Sequence, residues 1–135
     1  LSDTIGTATL YTPGIEDEFK SHAISSLHNR DCFSHGIAED EVECTTIDTL
    51  FTQYKLKNID YLKIDTEGAE LMILKGSEKA LTERKIECIQ LEYGATYTDA
   101  GFGVEDVIEY LARFEYYEFF RTTEELLFAH KNDIP

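Results

Sequence analysis

A chain of 135 residues, 42% apolar and 12% aromatic, is one domain's worth of material with enough apolar side chain for a single core. Its 27 acidic against 12 basic residues give a formal charge of −15, which argues against nucleic acid or an anionic membrane as a partner. No apolar run approaches the roughly 18 residues of a membrane helix, and Cys32, Cys44 and Cys88, odd in number and without CxxC spacing, suggest neither a disulfide framework nor a zinc site, so a reducing, cytoplasmic setting is expected.

Taken in order, Leu1 to Thr12 reads as a turn over Asp3 to Gly6 and then a strand, in which Thr7, Thr9 and Tyr11 alternate with Ala8 and Leu10. Pro13-Gly14 ends it. Ile15 to Asp40 has no periodicity and carries His22, His28 and His35, whose spacings match no compact metal motif; it reads as a long loop. Val42 to Cys44 reads as a short strand. Ile47, Leu50, Phe51 and Tyr54 then recur at helical separations, with Thr45 expected as N-cap, Asp48 at the box position behind it, and Asn58 as the break.

Tyr61 to Ile64 reads as a buried strand that turns directly into a helix from Gly68, marked by Leu71, Leu74 and Leu81 and closing near Thr82 to Lys85. Ile86 to Tyr93 suits a strand buried on both faces of a parallel sheet. Gly94 to Gly103 reads as a loop. Val104, Val107, Ile108, Leu111 and Phe114 form the clearest amphipathic stripe, and Tyr116 to Phe120 with Leu126 to His130 read as an antiparallel hairpin around Thr122-Thr123-Glu124. Alternating strands and helices predict an α/β fold, a mainly parallel sheet with that terminal antiparallel hairpin at its edge.

Three carboxylates, Asp65, Glu67 and Glu70, fall within six residues at the carboxyl end of the central strand, where open α/β sheets form their ligand crevice. Glu92 ends the next strand. Carboxylates brought close raise one another's pKa and can hold one as a base near neutral pH. Asp65 and Glu67 are expected on the reacting side, with Glu70 supporting the turn. The same acids fit a purely structural role, with Asp65 or Thr66 as helix cap and Glu67 and Glu70 complementing the helix dipole. Two further readings use them otherwise: a divalent-metal module built on Asp65, Glu67 and Glu92, and a noncatalytic interaction domain.

Leu1-Ser2-Asp3 with Gly6 and Leu10-Tyr11, Ser25-Ser26-Leu27, Thr46-Ile47-Asp48-Thr49-Leu50, Lys63-Ile64-Asp65-Thr66-Glu67-Gly68-Ala69-Glu70 with Leu74-Lys75-Gly76, and Leu91-Glu92-Tyr93 together resemble, in order and spacing, the FkbM-type family of S-adenosylmethionine-dependent methyltransferases. The Lys-Ile-Asp-x-Glu-Gly-Ala-Glu block is the most specific of these pieces. The resemblance implies a Rossmann-like class I methyltransferase fold, S-adenosylmethionine as cofactor, and O-methylation of a small-molecule or sugar hydroxyl; no residue is assigned to a metal. It implies Asp65, Glu67 and Glu92 as catalytic residues and puts Ser2, Asp3 and Ser26 on the cofactor side.

The family's first strand, its glycine-rich turn and its ribose-binding acid have no counterpart here, and Gly101-Phe102-Gly103 comes too late in the chain to replace the turn. By this comparison Leu1 to Asp3 match the end of the third strand, near the adenine. The chain is then expected to be a single, partial domain lacking the first strands. By itself it is expected to bind S-adenosylmethionine weakly or not at all and to be inactive, and to leave the strand around Leu62 as a sheet edge.

Overall fold

The computed structural model of the chain describes residues 1–13, 25–27 and 37–134. Most of the expected loop, with His22, His28 and His35, lies outside the described residues. The amino-terminal strand β1 (Gly6–Pro13) pairs antiparallel along its whole length with β2 (Ile37–Cys44), from Gly6 opposite Cys44 to Pro13 opposite Ile37. The expected short strand from Val42 thus begins earlier, at Ile37. Residues Ile37 to Glu41 are exposed, so no buried face imprints an alternation on their sequence; cross-strand pairing alone marks them. Ser26 adds to this arm through two backbone hydrogen bonds with Tyr11, at 2.8 and 3.0 Å.

Helix α1 (Ile47–Tyr54) follows. Its N-cap is Thr46, whose hydroxyl accepts from the Thr49 amide at 3.0 Å; Thr45, the expected cap, has its carbonyl occupied by the Ser2 amide at 2.9 Å. Lys55, in the left-handed region at φ 53°, terminates it ahead of Asn58. Beyond strand β3 (Ile59–Ile64), the single helix expected from Gly68 to about Thr82 is two, α2 (Glu70–Lys75) and α3 (Glu78–Thr82).

The break at Gly76-Ser77 is tertiary in origin. The Ser2 carbonyl approaches so closely that a Cβ at position 76 would stand 2.2 Å from its oxygen. The Gly76 carbonyl accepts from the Asp48 amide at 3.1 Å, and the Asp48 carboxylate caps α3 by accepting from the amides of Lys79 and Ala80 at 2.9 and 2.8 Å. Asp48 therefore serves another helix, not a box on its own.

Strand β4 (Ile86–Glu92), helices α4 (Ala95–Asp99) and α5 (Val104–Ala112), and the hairpin β5 (Tyr116–Arg121) and β6 (Glu125–His130) complete the chain. Helix α4 occupies part of the expected 94–103 loop. The sheet order is β3-β4-β6-β5. Among the described residues only β3 and β4 run parallel; β6 is antiparallel to both β4 and β5. The expectation of a mainly parallel sheet is therefore wrong, and the sheet is mixed. The returning strand of the hairpin inserts beside β4 and leaves β5 at the edge, a non-local choice that local pattern does not encode. The expectation that the Leu62 strand lies at an edge holds among the described residues, where β3 pairs with β4 alone.

Leu62, Ile64, Ile89, Leu91, Leu126 and Phe128 share one face of the sheet and pack with Ile47 and Phe51 of α1, Ile73 and Leu74 of α2, Ala80 and Leu81 of α3, and Val107 and Leu111 of α5. Among the described residues the helices cover this face only. Opposite, Tyr61, Tyr117 and Phe120 remain about half exposed, whereas on β4 itself Cys88 is half-buried and Gln90 buried, so burial on both faces holds for β4 and not for its neighbours. Among the described residues no helix is long and apolar enough to cross a membrane.

Candidate active site

The parallel register sets Ile64 beside Leu91, so the residues that follow, Asp65 and Glu92, leave the sheet side by side at its carboxyl end. Glu92 is pushed above the usual carboxylate range, first by burial and then by the neighbouring Asp65, with Lys63 opposing and Glu67 adding a smaller push. Lys63, two residues back on the same face of β3, holds the Asp65 carboxylate at 2.9 Å. That contact raises the Lys63 ammonium above its ordinary pKa, the Asp65 hydrogen bond being the main cause.

The turn into α2 has no ordinary cap. Its N-cap position is Ala69, which has no side chain to offer. Glu70 replaces the cap from inside the helix: its carboxylate, 1% exposed, accepts from the Thr66 amide at 2.8 Å, the Thr66 hydroxyl at 3.1 Å and the Gly68 amide at 3.0 Å. The expected supporting role of Glu70 is what its contacts describe. Neither Asp65 nor Thr66 caps the helix, so that part of the structural reading is incorrect. Glu67 lies between the gripped amides with φ 53°, and its carbonyl accepts from the Ser26 hydroxyl at 2.7 Å.

Asp65 and Glu67 form a wall shared by two hollows. A small one of about 70 Å³ is lined by both with Glu70, Glu92, Tyr93 and Gly94, so all the acids singled out in the sequence meet there. A larger one of about 440 Å³ runs from Asp65, Thr66 and Glu67 toward the β1–β2 arm, with Leu10, Leu27 and Val42 in its walls. Of the residues expected on the cofactor side, Ser2 is buried beside Gly76 and its hydroxyl donates to the exposed Asp3 at 3.0 Å; neither lines these two hollows, and Ser26 sits between Ser25 and Leu27, which line the larger.

Lys63 and Tyr97 were not anticipated. The lysine was findable, since strand parity puts positions 63 and 65 on one side. Tyr97 was not: its buried hydroxyl donates to the Glu92 carbonyl at 2.9 Å from a segment read as loop, and burial, with smaller contributions from Glu70 and Glu92, pushes its phenol far up, keeping it a donor. Among the described residues no three His, Cys, Asp or Glu side chains are arranged to hold a metal ion.

A family model described as the methyltransferase FkbM domain matches residues 1–119. No curated protein and no solved structure matches the chain.

Proposed function

The chain belongs to the FkbM methyltransferase domain family, and from that premise we propose that it transfers a methyl group from S-adenosylmethionine to a hydroxyl of a small molecule or sugar. The observation that carries this reading is the pair of Asp65 and Glu92 side by side at the carboxyl end of two parallel strands, with Glu67 on the same small hollow. The larger hollow suits the cofactor: its roughly 440 Å³ falls in the size range of small-molecule sites, its leucines and valine offer apolar walls for a flat base, and carboxylates at one end favour a cationic sulfur. S-adenosylmethionine supplies, when bound, a methyl group made electrophilic by that positive sulfur.

The chain's part is alignment and proton management. Lys63 orients Asp65 as the group that accepts the acceptor's O–H hydrogen bond. Glu92, pushed up by burial and by Asp65, takes the proton when the oxygen is alkylated. Glu67 completes the acidic wall.

The test is methyl transfer by the full-length protein from methyl-labelled S-adenosylmethionine to a panel of alcohols, amines and thiols. Label recovered in ethers is the expected result. Label confined to amines or thiols overturns the hydroxyl assignment, and tight binding of S-adenosylmethionine with no transfer to any class turns the reading toward an interaction domain.

A further inference from the structure

Among the described residues, four other than glycine occupy the left-handed backbone region: Lys55, Arg84, Glu115 and Glu67. The first three sit just after α1, α3 and α5, where that conformation commonly ends a helix. Glu67 precedes a helix, so helix termination does not account for it, and an L-residue adopts this region only when its surroundings compel it.

Those surroundings are on three sides. Glu70 holds the amides of Thr66 and Gly68, one on each side of Glu67, and Ser26 holds the Glu67 carbonyl at 2.7 Å. Ser26 is itself 1% exposed and fixed to Tyr11 of β1 by two backbone hydrogen bonds. We propose that Ser26 is a positioning residue: with Glu70 it clamps Glu67 in the left-handed conformation, directing its carboxylate to the acidic hollow and tying that direction to the β1–β2 arm. Leu10, Ser25 and Leu27, immediate neighbours of Tyr11 and Ser26, line the larger hollow together with Glu67. A molecule filling that hollow therefore presses on the same segment that sets Glu67. The role assigned to Ser26 rests on the methyl-transfer reading for its purpose, but the clamp itself is measurable without turnover.

The experiment is nuclear magnetic resonance on the whole chain, without ligand. A strong intraresidue amide-to-Hα Overhauser effect is the signature of positive φ, and the wild-type chain is expected to show it at Glu67, with slow exchange of the Thr66 and Gly68 amides. Ser26→Ala, checked for cooperative unfolding, is expected to lose the Overhauser signature. It is also expected to lower the carboxyl titration midpoint of Glu92, because Glu67 is one of the charges that raise it; since lost burial lowers that midpoint as well, the Overhauser signature at Glu67 is the deciding readout. Glu70→Gln, which sets an amide donor against the Gly68 N–H in a nearly unchanged shape, is the second variant should Ser26→Ala not fold, and is expected to lose the same signature. A wild-type chain without it, or either folded variant retaining it in full, overturns the clamp. Such a result leaves methyl transfer standing, whereas a verified clamp in a chain that transfers no methyl group separates the two the other way.

Discussion

The chain makes two strand-to-helix turns with acids in them, from β2 into α1 and from β3 into α2, and they are built on opposite plans. In the first, Thr46 caps its own helix and Asp48 reaches across to cap α3, so each polar group has a backbone amide to satisfy. In the second, one buried acid, Glu70, holds the whole turn, and Asp65 and Glu67 are left facing a hollow with Glu92. Acids at a helix start are therefore not a site by type or by count. What separates the two turns is where each carboxylate's hydrogen bonds go.

The sharpest way to break this contrast is by rate. Asp65→Asn and Glu92→Gln should each slow methyl transfer by the full-length protein by about 10²–10⁴, the usual cost of losing a proton-transfer group, and Glu67→Gln by less, while the chain still unfolds cooperatively. Single-turnover transfer measured beside thermal unfolding decides it. Wild-type rates in all three variants would make the second turn as structural as the first.

Next in size is Gly76→Ala, at the far side of the first turn. The Ser2 carbonyl leaves no room for a methyl group, so overpacking should cost about 1–3 kcal/mol. Asp48→Ala should cost somewhat less, about 0.5–2 kcal/mol for a lost cap, and should leave single-turnover methyl transfer within about twofold of wild type, a difference of about 0.4 kcal/mol in the barrier. Denaturant unfolding gives both stabilities. A rate loss in Asp48→Ala comparable to that of Asp65→Asn would erase the distinction between the turns.

How much of this was legible in the sequence follows from what is local and what is not. The run Tyr61 to Ile64 with Gly68 behind it announced the β3–α2 turn, the stripe from Val104 announced α5, and Thr122-Thr123-Glu124 announced the hairpin, because each is a periodicity or a turn signal contained in its own segment. The gathering of Asp65 with Glu92 could be anticipated because both end neighbouring strands. What escaped were tertiary decisions: the Ser2 carbonyl that splits the helix at Gly76, the Asp48 carboxylate taken by another helix, and the insertion of β6 beside β4, which makes the sheet mixed. Ser26 likewise reads as one serine among several until the fold brings it, 41 residues away in sequence, to the Glu67 carbonyl.

The smallest expected effect separates the turns by pH. Glu92 is raised in the folded chain by burial, then by Asp65, so between its ordinary value and the raised one the folded chain holds a proton that the unfolded chain has released. Stability must then rise as pH falls through the raised value, level off near the ordinary one, and be lowest where Glu92 is ionised in both states. Glu83 and Glu115, lowered chiefly by hydrogen bonds from Lys85 and Lys131, work in the opposite sense: their contribution is present above the ordinary carboxylate range and fades as pH falls through their folded values. Both are fully exposed to solvent, so their terms are slight. Glu92→Gln removes only the first effect. Its melting temperature should exceed that of wild type at neutral pH and converge with it as the pH approaches the ordinary carboxylate value. Asp65→Asn should shift the same crossover to lower pH by removing one source of the raised value. Paired thermal melts across that range test it, and a Glu92→Gln chain less stable than wild type at neutral pH would mean that the Asp65–Glu92 contact supports the fold in the way Asp48 does.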